Sequence, residues 1–383
     1  MKSIASAPGK IILLGEHFVV YGSKAMLAAI DKRVTVTSSF TEDKTIKIKS
    51  RLGTLEVPVY VSHQEVKSEF KPFVYLAKKM LTSAKADTER WKNMRPAEGL
   101  EIAINSDIPV GVGLGSASAS CVAATASIYG LMPRGAIDQL SLEEIVEMSI
   151  EAEKTIFPDT SGADCNVCTY GGMIVYDKIN GIEKIDIARC YELGIGWEGY
   201  EYDSTQQKTV FNFIIANSMI PHSTKRSVEK VKKFKEKNEK EFSTTCQYVT
   251  NVINELLYKM NMDMDDPDRV PFGDELDDAM SSNRMFLGQL PISNNTINRM
   301  LSSLVSPEGY GAGLSSAKIT GAGDGGCLIS LVENPDDVVG LLAKARAVLG
   351  KDKECFSAKI DTKGVVRRWL TEESDDLGDD LDI

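Results

Sequence analysis

Long apolar runs are missing from this 383-residue chain, and so is any surplus of positive charge. No stretch approaches the ~18 or more apolar residues that read as a membrane-spanning helix, and Met1-Lys2-Ser3-Ile4-Ala5 lacks a signal-peptide layout, so a cytoplasmic location is expected. A net charge of −11 leaves no basic excess to neutralise a nucleic-acid backbone, and any anionic ligand must be held by local groups. Histidine is scarce, with three in the chain and none at metal-ligand spacing. The seven cysteines are an odd number scattered along a large chain, which fits reduced thiols better than a disulfide framework. Cys165 and Cys168 form a lone C-x-x-C, and a zinc site would want a second such pair. They read as small buried thiols beside a more important residue.

What is present is an ordinary globular enzyme's composition, 43% hydrophobic and 26% charged, on a chain long enough for two cores. Alternation predicts strands at Val34–Thr37, Ile46–Lys49, Leu55–Val61 and Leu100–Ile104, with helical spacing at Gln64–Lys85 and Leu142–Ile156. The second half offers strands at Val210–Ala216, Ala317–Ile319, Cys327–Val332 and Cys355–Ile360 among helical stretches near 225–260, 270–290, 291–305 and 336–349. The expected fold class is α+β, as two helix-covered sheets joined near 180–205. The domains are read as 1–195 and 196–368, followed by an acidic tail, 369–383, whose composition predicts disorder.

Three segments carry chemistry. Ile108-Pro-Val-Gly-Val-Gly-Leu-Gly-Ser-Ala-Ser-Ala-Ser runs from a strand into a helix of small residues, Ala117–Tyr129, closed by Gly130. Gly111, Gly113 and Gly115 let the backbone take positive φ and present N–H groups to a phosphate at a helix N-terminus; a turn that only lets two elements pack closely is the other reading. The loop matches neither G-x-x-x-x-G-K-[ST] nor G-x-G-x-x-G. The latter does occur at Gly321, Gly323 and Gly326, but a strand follows instead of a helix, so a glycine-rich bend pressed against a ligand or backbone is expected there. Glu153 sits at the edge of the apolar face of the Leu142 helix, where it would either meet a magnesium ion bound with nucleotide phosphates or reach solvent. Asp164, among small residues before an apolar strand, would orient or deprotonate a substrate hydroxyl, or cap a helix starting near Cys165.

Taken in order, Ala7-Pro-Gly-Lys-Ile-Ile-Leu-Leu-Gly-Glu-His, Pro109–Ser120 and Lys318–Cys327 resemble the GHMP kinase family over nearly the whole chain. The segments Gly15–Gly22 and Ser161–Gly172 are similar to the branch that phosphorylates the 5-hydroxyl of mevalonate in isoprenoid biosynthesis. The galactokinase pattern Asn-Leu-Ile-Gly-Glu-His-Thr-Asp is absent. The resemblance implies a two-domain GHMP kinase fold, with a ribosomal-protein-S5-like N-terminal domain and a ferredoxin-like C-terminal domain. It implies ATP as co-substrate, Mg2+, mevalonate as acceptor and a homodimer.

By position, the resemblance also makes Asp164 the catalytic aspartate and Lys10 its neighbouring lysine. Gly111, Gly113, Leu114, Gly115, Ser116, Ala117 and Ser118 form the nucleotide loop, with Glu16 lining the nucleotide site. His17, Thr224 and Gly323 fall on the substrate side, and Glu153 with Ser116 on the metal. Two departures stand out. Ala117 replaces the serine that the family uses for magnesium, leaving Ser116, Ser118 or a water to substitute. Asp324 replaces a glycine in the last motif and adds negative charge near substrate. The rivals are a GHMP kinase acting on phosphomevalonate or another small alcohol, a related decarboxylase, and a non-catalytic regulatory protein on the same scaffold.

Overall fold

The structure, a computed structural model, describes residues 2–86, 98–132, 140–187, 190, 211–221, 223–262, 271–307, 309–332, 334–370 and 381–382. The join expected at 195/196 and most of the tail expected at 369–383 lie outside the described residues; where that tail is described, at 369–370 and 381–382, it is in paired strands and not disordered.

Among the described residues, two mostly antiparallel sheets organise the chain. The first begins with β1 (Lys2–Leu14) and the long β2 (Ala25–Thr41), followed by β3 (Thr45–Ser50), β4 (Gly53–Pro58) and β5 (Gly99–Ser106). Strands β6 (Met173–Asp177) and β7 (Gly181–Ile185) extend it from β2. The chain returns to it at β12 (Val366–Leu370) and β13 (Leu381–Asp382), giving the order β13-β12-β1-β2-β5-β3-β4. A division at 368/369 therefore cuts through β12, which pairs with β1 from Lys2↔Leu370 to Ser6↔Val366. The second sheet, ordered β11-β8-β10-β9, is built from β8 (Asn212–Asn217), β9 (Lys318–Ile319), β10 (Cys327–Val332) and β11 (Glu354–Lys359).

Helix α1 (Lys71–Ala86) starts later than Gln64 because Ser62 and Glu65 form a capping box on a short 3-10 turn, after which Val66 is extended. Helices α2 (Ser116–Tyr129) and α4 (Ala163–Tyr170) pack on β1 and β2, and α3 (Leu142–Lys154) packs against both of them. Helix α2 is buried almost all round from Ser118 to Tyr129, and its Ser and Ala side chains let the neighbouring elements approach closely. The stretch expected at 225–260 is two helices, α5 (Thr224–Lys237) and α6 (Glu239–Met260), broken at Asn238 with φ −130°. Helices α7 (Phe272–Gly288), α8 (Asn295–Val305) and α9 (Val338–Leu349) complete the second half. One large apolar core runs from the first sheet into α6 and α7, and a smaller one, including Ile297, Met300, Leu304 and Leu328, lies on the second sheet.

Candidate active site

The Ala7-Pro-Gly-Lys segment lies within β1, where its composition has a geometric consequence. Pro8 has no N–H to give the ladder, and the β1–β2 register shifts between Pro8 and Gly9. At Gly9 a Cβ would come within 2.7 Å of Ile108 and 2.8 Å of the Leu114 carbonyl, so only glycine lets the 108–114 loop close over the strand. The Lys10 N–H then donates to Leu114 O at 2.9 Å. The Lys10 side chain runs past Gly115, where a Cβ would sit 2.6 Å from Lys10 Cγ.

That route ends at Asp164. Lys10 Nζ lies 3.1 Å from Asp164 Oδ2, with the lysine side chain 4% exposed and the aspartate 33%. The ammonium is enclosed while the carboxylate opens outward. Asp164 stands in the first turn of α4, whose N-cap is Gly162 with no side-chain cap bond, so the capping role is not the one it takes.

The three glycine motifs meet through backbone. A Cβ at Gly113 would be 3.0 Å from Thr320 O, one at Gly321 would be 3.2 Å from Gly113 Cα, and Cys327 N–H donates to Val112 O at 3.0 Å. Close packing thus accounts for Gly113 and Gly115. Gly111 is different: its φ is +71° and nothing lies within 4 Å of where its Cβ would be. Helix α2 starts at Ser116 with Gly115 as N-cap and no side chain bonded to its first N–H groups, an uncapped positive end suited to a phosphate.

Glu153 does not reach solvent; it is 4% exposed. Ser118 Oγ donates to its Oε1, and Thr160 Oγ1 donates to Oε2 at 2.6 Å, with Cys165 Sγ 3.7 Å from the same oxygen. Burial pushes the carboxyl up from its ordinary range and the charge of Asp164 pushes it further, against the pull of these hydrogen bonds. The serine brought to Glu153 is therefore Ser118, which is buried. Ser116, expected as its metal partner, is only half-buried, and its carbonyl accepts from Ser120 Oγ at 2.6 Å. A buried carboxylate beside a hydroxyl on the first turn of the phosphate helix is a hard oxygen donor set that fits magnesium held with nucleotide phosphates. Cys165 and Cys168 are free buried thiols.

The remaining expected residues divide. Glu16 is 1% exposed and closed in: Lys318 Nζ bonds Oε1, and Asn283 Nδ2 donates to Oε2 at 2.7 Å. Both oxygens are occupied from the second half of the chain, so the nucleotide-lining place is not open to it. Burial pulls the Lys318 ammonium down from its ordinary value and Glu16 pulls the other way. Sequence reading missed Lys318 and Asn283, whose only signal was a lysine opening the last glycine motif.

His17 has φ +59°, is 7% exposed, and its Nε2 lies 3.0 Å from Ala322 O. A carbonyl only accepts, so Nε2 carries the proton; burial draws the ring pKa down, leaving Nδ1 of the neutral ring as an acceptor. Gly323 is required by Ile292, whose carbonyl would be 2.5 Å from a Cβ there. Thr224 is exposed at the first position of α5, one turn before Ser227, which bonds Asp324 at 3.1 Å. Asp324 is not left bare in solvent: Lys230 Nζ bonds its carboxylate at 2.7 and 2.8 Å.

The family model described as GHMP kinases N terminal domain matches residues 75–172, which hold the Gly111–Gly115 loop, Glu153 and Asp164. The chain is 30% identical over 341 residues to the mevalonate kinase of Pyrococcus furiosus, covering 87% of this chain and 90% of that protein. It is 30% identical to the mevalonate kinase of Archaeoglobus fulgidus, covering 86% and 92%. The crystal structure of the Methanococcus jannaschii mevalonate kinase superposes with a TM-score of 0.69 at 25% identity, covering 94% of this chain and 98% of that one. The chain belongs to the GHMP kinases. Within them it falls on the mevalonate kinase branch.

Two outcomes test this geometry. Lys318→Met strands the Glu16 carboxylate in the core and should cost about 3–5 kcal/mol, whereas Lys318→Met with Glu16→Gln should recover much of that loss. Urea unfolding of the four-variant cycle measures the coupling, and additive losses would contradict the bridge. Glu153 has a folded pKa raised above its unfolded value, so its contribution to stability is present below about pH 4.5 and is lost as pH rises through the raised value. Glu153→Gln should therefore raise the Tm at pH 7 by about 2–4 °C without metal, with no gain at pH 4. A lower Tm at pH 7 would show that the carboxylate is satisfied as it stands.

Proposed function

We propose that this chain transfers the γ-phosphoryl group of ATP to the 5-hydroxyl of mevalonate, giving 5-phosphomevalonate. The observation that carries the reading is the Lys10–Asp164 pair, with its ammonium buried and its carboxylate open, set beside the uncapped N-terminus of α2. Nucleotide phosphates sit over Gly111–Ser118, where backbone N–H groups and the helix end receive them. Asp164 orients the acceptor hydroxyl and takes its proton as the oxygen attacks phosphorus. Lys10 pairs with Asp164 and counters the charge that builds on the phosphoryl oxygens. His17 offers Nδ1 as a hydrogen-bond acceptor on the acceptor side, next to the Ala322–Gly323 turn.

Glu153 and Ser118 present oxygen donors that would hold magnesium, which when bound would supply positive charge against the nucleotide phosphates. Ser118 takes the place that Ala117 vacates because its hydroxyl already meets the Glu153 carboxylate.

The direct assay is ADP release with Mg-ATP and a panel of mevalonate, phosphomevalonate, galactose and homoserine, with the phosphate position read by phosphorus NMR. Formation of 5-phosphomevalonate is expected; turnover of another panel member in its place would reassign the acceptor, and ATP binding without turnover would favour a regulatory protein. Asp164→Asn should lower kcat by about 10²–10⁴-fold with ATP still bound, and Lys10→Met by about 10²-fold or more. A Tm close to that of the parent excludes misfolding, and an active Asp164→Asn variant would refute the mechanism. For the metal, Ser118→Ala should weaken Mn2+ binding to the enzyme–nucleotide complex, followed by EPR, by about tenfold, with Ser116→Ala nearly silent. The reverse ranking would return the role to Ser116.

A further inference from the structure

Three non-glycine residues among those described have left-handed φ: His17 at 59°, Met219 at 58° and Asp324 at 59°. All three border one turn. His17 meets Ala322 O, Asp324 is the turn itself, and Met219 lies between Ser218, whose N–H donates to Gly326 O at 2.9 Å, and Ile220, whose carbonyl accepts from Gly326 N at 3.2 Å. Such clustering of sparsely populated backbone is characteristic of functional sites.

Glycine would adopt φ +59° at position 324 without strain, so the aspartate must be held there by its contacts. Its N–H donates to Ile292 O at 2.6 Å, and its carbonyl accepts from Asn294 Nδ2 at 3.1 Å. Its carboxylate, 17% exposed, takes both oxygens to Lys230 and one also to Ser227. Lys230 and Ser227 lie on one face of α5, i and i+3, and Thr224 is a further turn towards the N-terminus on that face.

We propose that Lys230 is a positioning residue for the acceptor side of the site. Through Asp324 it clamps α5 onto the turn that carries Gly323 and holds His17, and it cancels a carboxylate that would otherwise repel an anionic alcohol. The inference rests on the reading that His17, Gly323 and Thr224 face a carboxylate-bearing acceptor. It adds a second lysine, specific to this chain's departure from the glycine usual at 324, that acts on acceptor binding and not on phosphoryl transfer.

The test is steady-state kinetics with mevalonate and Mg-ATP varied independently. Lys230→Met should raise KM for mevalonate about tenfold, with kcat and KM for Mg-ATP changed by no more than about twofold. Lys230→Arg, which keeps the pair, should stay close to the parent. Lys230→Met with Asp324→Gly removes the stranded charge and the backbone strain together, and should recover most of the mevalonate KM. No change in Lys230→Met, an equal loss for both substrates, or a double variant no better than the single one would overturn the proposal. A parent enzyme inert towards mevalonate would refute the activity reading instead. The clamp is then judged from amide exchange across 320–327 in ligand-free protein, which Lys230→Met must accelerate and the double variant must not; unchanged exchange would overturn it.

Discussion

An ammonium group taken out of water must be paired, and the burial of Lys10 shapes everything around it. The proline that interrupts β1, the glycines at 9 and 115, and the opening of α4 at Gly162 combine to bring one lysine to one carboxylate. Each is a local exception to good strand or helix sequence. They become intelligible only together, since a Cβ at 115 would displace the lysine and a Cβ at 9 would hold off the loop that covers it. The same loop is then pinned from the other side by the Thr320–Gly321 turn. The geometry of this loop is thus set by backbone contacts from two distant parts of the chain, the preorganisation that the proposed phosphoryl transfer requires.

Much of this was legible in sequence, and the gaps have physical causes. Strands β3, β5 and β10 alternate or run apolar, and were found; β12 was not, because nothing in Val366–Leu370 announces that its partner is a strand more than 350 residues earlier. Glu153 could be singled out because a helix face has a period, and a carboxylate at its edge is conspicuous. Lys10 had no such mark. In a segment of Ala, Pro and Gly its burial follows only from tertiary packing, and family resemblance had to supply it. The Glu16–Lys318 bridge was illegible for the same reason: 302 residues separate the partners, and neither breaks a local pattern. The choice between Ser116 and Ser118 turned on helix phase at the N-terminus, where a shift of one residue turns a side chain from the interior to the surface.

Charge accounting around the site explains how a chain of net charge −11 can receive a polyanion. Three acids there each have their own lysine: Asp164 with Lys10, Glu16 with Lys318, and Asp324 with Lys230. Each pair is close to neutral from outside, so the acids add little to the potential met by an incoming phosphate. Screening by bulk salt would not achieve this at buried positions, whereas a fixed lysine does.

Glu153 is the exception. Its hydrogen bonds come from two hydroxyls and a thiol, it stands at the C-terminal end of α3 where the helix dipole adds negative potential, and Asp164 lies close enough to push its carboxyl towards protonation. Neutral donors offset part of the desolvation of a carboxylate but leave its charge in place. A fourth lysine here would have completed the pattern. Among the described residues this one acid has no paired lysine or arginine, and beside the uncapped end of α2 its oxygens are left to a cation from outside the chain, as the proposed magnesium role requires.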